Sequence, residues 1–451
     1  MNRWAFLLLM VLNACVPISQ SNAPAVIADS TLPPMKTFGP ARVPQTVFAN
    51  SDLARDFLDL TFELESGRAL PVFTRFEGPV TLRVTGTPPP TLEADLSALL
   101  DRFRTEAGIP ITTTTQADAS ITIQAVSRAE IRRVLPQAAC FVAPNVSSLK
   151  DYRRARRTPR TNWTLLETRT HIAIFVPRDS SPQETRDCLH EELAQALGPL
   201  NDLYRLPYSV FNDDNVHTIL THFDMLMLRA TYAPELRSGM SKDAVARRLP
   251  AIMARINPAG QGRIGTPASA TPHAWQTAIQ TTLGPGASRT ARSTAANTAL
   301  TIAQREGWTD HRLAFTQYAR GRVLQQSQPL VARQAYLAAD EIYARSPTTQ
   351  LHRAYVATQL AAYALVEGDG DGALQLITPY LAPARRAQNA ALLATLQLMQ
   401  AEALTLVGRD IDARATRLDS LGWARYGFGP DWAVRAKQSE ISSLPPASPP
   451  A

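Results

Sequence analysis

Apolar positions along the chain change their spacing three times. After a short apolar run at residues 5–12, residues 16–47 show no apolar period and carry six prolines, the pattern of an extended tether. From about 50 to 256, helical and strand periods alternate. Residues 51–63 are amphipathic, 80–84 alternate as a strand, and 91–106 put Leu92, Leu96, Leu99, Leu100 and Phe103 at helical spacing. Residues 119–126 and 171–177 (HIAIFVP) are the strongest strand candidates. Residues 257–291 are rich in Gly, Pro, Ser and Ala and read as a linker. Beyond it the period is helical, with helices expected over 313–325, 330–344, 351–367, 373–381, 390–407 and 411–421.

The helical part repeats itself. Ala361, Gly368 and Ala373 recur as Ala401, Gly408 and Ala413, each pair 40 positions apart. Small residues there let two helices approach, with Gly at the turn between them. This pattern resembles tetratricopeptide repeats, although the period is longer than theirs and the early aromatic of their first helix is missing.

The first residues read MNRWAFLLLMVLNAC, a basic start and an apolar stretch too short to span a bilayer. Leu12-Asn13-Ala14-Cys15 resembles the lipobox of bacterial lipoproteins. That resemblance implies removal of residues 1–14, lipid on Cys15, and, with Val16 following, sorting to the outer membrane facing the periplasm. The remaining cysteines, Cys140 and Cys188, form an even pair in an oxidising compartment and are expected to be bonded.

Composition narrows the field. The chain has 451 residues, 45% hydrophobic, enough for more than one core. Its 46 basic against 39 acidic residues leave +7, too small an excess to argue for nucleic acid. Residues 150–160 (KDYRRARRTPR) hold six bases against one acid; such a run reads as a solvated loop, with contact to anionic lipid or lipopolysaccharide phosphate as the functional alternative. His217 and His222, five apart, read as surface residues.

The chemically suggestive segment is 188–202, CLHEELAQALGPLND. Positions 191 and 195 share a helical face, and Gly198 allows a reversal that brings residue 201 towards it. This geometry resembles the zinc helix of the metzincin proteases, in which three imidazoles hold zinc and a Glu acts as general base. Aligned on the Gly, Glu192 takes the general-base position, while Glu191, Gln195 and Asn201 replace all three zinc ligands. Further along, 208–212 resembles the Met-turn with Phe211 in place of methionine, and 220–232 resembles the Thr-capped closing helix. The series Cys188, Glu191 to Gln195, Gly198, Asn201, Asp202, Phe211 to Asp213, Gly239 and Met240 is similar to an uncharacterised family of proteobacterial lipoprotein-like proteins, domain of unknown function 2927.

The expected fold is an α+β zincin-like domain followed by an all-α helical-repeat, solenoid-like domain. The expected boundaries are a signal peptide at 1–14, a tether at 15–49, the zincin-like domain at 50–256, a linker at 257–291, the repeat domain at 292–436 and a disordered tail at 437–451. The implied function is periplasmic binding or scaffolding of a protein or peptide, without metal, cofactor or nucleic acid. The enzymatic alternative is a hydrolase using Glu192 and a non-standard metal site.

Overall fold

Alternating apolar side chains make strands wherever both faces can be covered, and five such segments build one sheet. The computed structural model describes residues 31–267 and 269–446; the signal segment, Cys15 and the first half of the tether lie outside the described residues. The strands are β1 (Val80–Gly86), β2 (Ile111–Thr113), β3 (Ile121–Val126), β4 (Phe141–Pro144) and β5 (Ile172–Pro177), in the order β2-β1-β3-β5-β4. All neighbours are parallel except β4, which runs antiparallel to β5 at one edge. The HIAIFVP run becomes β5, buried on both faces.

Its Ile172, Ile174 and Val176 join the main core with Leu53 and Phe57 of α1 (Asn50–Thr61) and Leu96 of α2 (Leu92–Arg102). Its Ala173 and Phe175 pack under Ile131 of α3 (Arg128–Arg132) and Leu149 of α4 (Leu149–Ala155). The helix α5 (Pro182–Leu197) follows β5 and contributes Leu189 and Leu193 to the main core. Helices α6 (His222–Thr231), α7 (Lys242–Ala246) and α8 (Leu249–Ile256) complete this α/β part.

The remainder is all helical: α9 (His273–Leu283), α10 (Arg289–Arg305), α11 (His311–Leu324), α12 (Pro329–Tyr343), α13 (Gln350–Val366), α14 (Gly370–Arg386), α15 (Ala390–Leu406), α16 (Asp410–Phe428) and α17 (Asp431–Ser442). Gly368 and Gly408 sit at the turns after α13 and α15 with φ of 76° and 75°, a conformation that disfavours any side chain. Ala361, Ala401 and Ala373 are fully buried where neighbouring helices meet.

Three boundaries differ from the sequence reading. Residues 257–291 are not a continuous linker, because α9 lies inside them, with Trp275, Ala278 and Ile279 facing Trp308 and Tyr204 in a shared core. Four apolar or small residues at helical spacing suffice there, and the flanking Gly and Pro obscure them. The described half of the tether is laid against α16: Leu32 is buried, Phe38 stacks on Trp423 at 4.5 Å, Lys36 N donates to Gly422 O at 3.0 Å, and the Lys36 ammonium pairs with Asp419. Extended proline-rich chain has no period to read, yet it can still deposit single side chains into a neighbouring groove. Finally, α17 extends to Ser442 with Ile441 buried, so an ordered helix occupies the start of the expected tail. Residues 32–451 cluster as one compact unit, and no helix among the described residues is long and apolar enough to cross a membrane.

Candidate functional site

Helix α5 is fixed at both ends. Ser181 caps its first turn by accepting from Glu184 N, and Pro182 occupies the first turn, where a missing N–H does no harm. At the other end the buried Arg169 donates to the carbonyls of Gln195, Ala196 and Gly198 at 2.5, 2.8 and 2.5 Å. Burial lowers this guanidinium to about 10, so it stays charged at neutral pH and complements the helix C-terminus. Gly198 is required by packing: a Cβ there would stand 3.0 Å from Thr231 Oγ1 of α6. Midway along α5, Cys188 forms a disulfide with Cys140, just before β4, with Cα atoms 6.0 Å apart.

Glu191 and Gln195 do share a face of α5, but Asn201 does not join them. Its Nδ2 donates to Asp59 O at 3.0 Å, back towards the end of α1. The residue that reaches the group is its neighbour, Asp202, together with Glu65 from the turn after α1, which lies beside both Gln195 and Asp202. Crowded together and partly desolvated, every acid in the cluster is pushed towards its protonated form. Burial, then Glu65 and Asp213, raise Glu191 to about 7. Burial and the neighbouring acids Glu65, Glu191 and Asp213 hold Asp202 well above the carboxylate range. Glu65 and Asp213 stand exposed on one side and packed by protein on the other, and desolvation still raises both.

Glu192 is buried behind this face, with Oε2 lacking a hydrogen-bond partner among the described residues. Burial, followed by Glu191 and Glu65, raises its carboxyl well above its ordinary value. Its surroundings favour the protonated form, which is poorly suited to abstracting a proton from water. His190 points elsewhere: Nδ1 accepts from Leu220 N at 3.1 Å, and burial holds the ring neutral. The Met-turn-like loop buries Phe211 completely, and Thr221 caps α6 reciprocally with Asp224, as its sequence suggested. Among the described residues, no group of three or more His, Cys, Asp or Glu side chains is arranged to hold a metal ion.

In front of the cluster lies a cavity of about 910 Å³, lined from the α/β side by Glu65, Tyr204 and Asp213 and from the helical side by Phe315, Tyr343 and His352. Tyr204 donates to Asp213 at 2.9 Å, and His352 Nε2 bonds Asp214 Oδ2 at 2.9 Å, tying α13 to the loop after α5. His352 is 2% exposed and its Nδ1 has no partner among the described residues. His217, expected on the surface, is half-buried and bonds Pro207 O at 2.9 Å. Sequence reasoning named Asp202 and Asp213 only as members of the family series, without a role, and missed Glu65, Arg169 and His352; Asn201 was read in the place that Asp202 takes.

The α/β part carries a known family signature. Residues 50–251 match the family model described as Protein of unknown function (DUF2927). The match spans α1 to α8 and includes Glu65, Glu191, Glu192, Asp202 and Asp213, whereas the helical wall of the cavity lies outside it. No curated protein and no solved structure matches the chain significantly.

Proposed function

We propose that the protein is an outer-membrane lipoprotein, lipidated at Cys15 and facing the periplasm, that binds a periplasmic protein or peptide without hydrolysing it. In this reading the α/β part is a zincin-like fold that has lost its metal site, and the helical part is a tetratricopeptide-like array adapted to cover it. The observation that carries it is the convergence of Glu65 and Asp202 on the Gln195 face of α5, where burial and neighbouring acids raise the carboxyls. Carboxyls driven towards their protonated forms and a neutral amide occupy the place where the metzincin resemblance would put zinc and its ligands. Carboxyl and amide oxygens are also poor zinc donors. The order of elements supports the fold assignment: β5, then α5, the Gly198 turn, the loop burying Phe211 and the Thr221-capped α6. The cavity, walled by both parts, is the proposed binding surface.

The test is photocrosslinking in intact cells from a reactive residue placed at Asn215 or Thr277, both at the cavity wall. Specific periplasmic adducts are expected, and they should be lost with Asp213→Lys. Peptidase activity of the purified protein abolished by Glu192→Gln would overturn the reading.

A further inference from the structure

The formal charge of +7 is not spread over the molecule. Residues 128–160 contain nine bases and two acids, so this one segment holds the whole excess, and the rest of the chain is balanced. Both acids are already occupied. Glu130 Oε2 accepts from the N–H and hydroxyl of Ser127 at 2.9 and 2.7 Å, and Asp151 is held by both terminal nitrogens of Arg160 at 2.9 and 2.8 Å. Arg132, Arg133, Lys150, Arg153, Arg154 and Arg157 are exposed, and none of the six forms a salt bridge with another described residue.

The fold gathers them. Helices α3 and α4 cover the same face of the β4–β5 edge, because Ile131 and Leu149 share one core with Phe175. Arg156 fastens them by donating to Val134 O at 3.0 Å.

We infer that this face docks on an anionic bilayer surface. A single phosphate engages one or two of these cations, whereas six distributed over two helices need an extended sheet of negative charge. The inference depends neither on the lipid anchor nor on the cavity.

The test uses the full-length chain carrying Cys15→Ser, mixed with vesicles of phosphatidylcholine alone or with about one third phosphatidylglycerol. The parent should bind only the anionic vesicles and be released by raised salt. Lys150→Gln/Arg153→Gln/Arg154→Gln/Arg157→Gln removes four charges that form no side-chain hydrogen bond or salt bridge with another described residue. At about 1 kcal/mol per cation at the surface, its partitioning should fall on the order of 100-fold or more, with an unchanged thermal melt. Undiminished binding by the folded variant, equal binding to neutral vesicles, parent binding indifferent to salt, or tighter binding to duplex DNA than to the vesicles would each overturn the inference.

Discussion

The carboxyl cluster makes the stability of the protein fall as pH rises, and Glu191 is the group to test. Its carboxyl shifts from the usual 4.5 to about 7 in the folded protein. In that window the folded chain holds a proton that the unfolded chain has released, so stability declines with pH. The contribution is greatest below about pH 4.5, declines by about 1.4 kcal/mol per pH unit, and levels off above about pH 7, a total near 3 kcal/mol. Glu192 and Asp202, both raised by burial, act in the same direction, and Asp187, raised to about 8 by burial, extends the decline beyond this window. Glu191→Gln keeps the shape and removes the titration. Urea melts of parent and variant at pH 5, 6, 7 and 8 should nearly coincide at the lowest pH and separate by about 2 to 3 kcal/mol in favour of the variant at the highest. Because the acids titrate as a coupled set, the gap belongs to the cluster rather than to one microscopic constant. A gap that stays constant with pH, or a parent whose stability rises from pH 5 to 8, would refute the reasoning.

Four further outcomes are expected. Arg169→Met should destabilise the fold by about 2 to 4 kcal/mol, because three buried carbonyls at the end of α5 lose their donor; urea denaturation measures it, and a loss below about 0.5 kcal/mol would rule out the capping role. Replacing Cys140 and Cys188 by Ser should remove about 3 to 4 kcal/mol, set by the 48-residue separation, and full alkylation of both thiols in unreduced envelope protein would disprove the bond. Thermal melts with and without EDTA should superimpose, since Glu191, Gln195 and Asn201 offer no imidazole or thiolate; a chelator-dependent drop would point to a metal this reading leaves out. Cys15→Ser should abolish incorporation of labelled fatty acid, and unchanged labelling would place the lipid elsewhere.

The elements legible in the sequence are those whose side chains report their own surroundings. HIAIFVP could only be a strand covered on both faces, and Gly368 and Gly408 between apolar helical runs could only be tight turns, so β5 and the hairpins of α13 to α16 lie where the pattern puts them. The edge strands β2 and β4 are three and four residues long, too short to establish a period. The candidate site was half legible. Glu191, Glu192 and Gln195 follow from helical geometry within one segment, but Glu65 comes from a turn more than a hundred residues earlier and His352 from a helix far downstream. No local spacing encodes those meetings. Asn201 and Asp202 differ by one position in a non-helical turn, where the direction of a side chain depends on backbone torsions that sequence alone does not specify. Arg169 was invisible for another reason: a buried cation satisfied by carbonyl oxygens leaves no complementary acid to pair it with.

The packing of residues 32–38 on α16 sets a mechanical limit. If a lipid at Cys15 anchors the chain, the leash runs only to Thr31, about 17 residues, instead of the roughly 35 that the proline-rich stretch offers on paper. Fully extended, that leash spans at most about 60 Å rather than about 120 Å. Halving the radius of a tethered body cuts the volume it can explore about eightfold, and raises by the same factor its effective concentration towards anything fixed at the membrane. Loosening the strap through Phe38 or Lys36 would therefore act like lengthening a linker: it would dilute every encounter at that surface without altering a single contact residue.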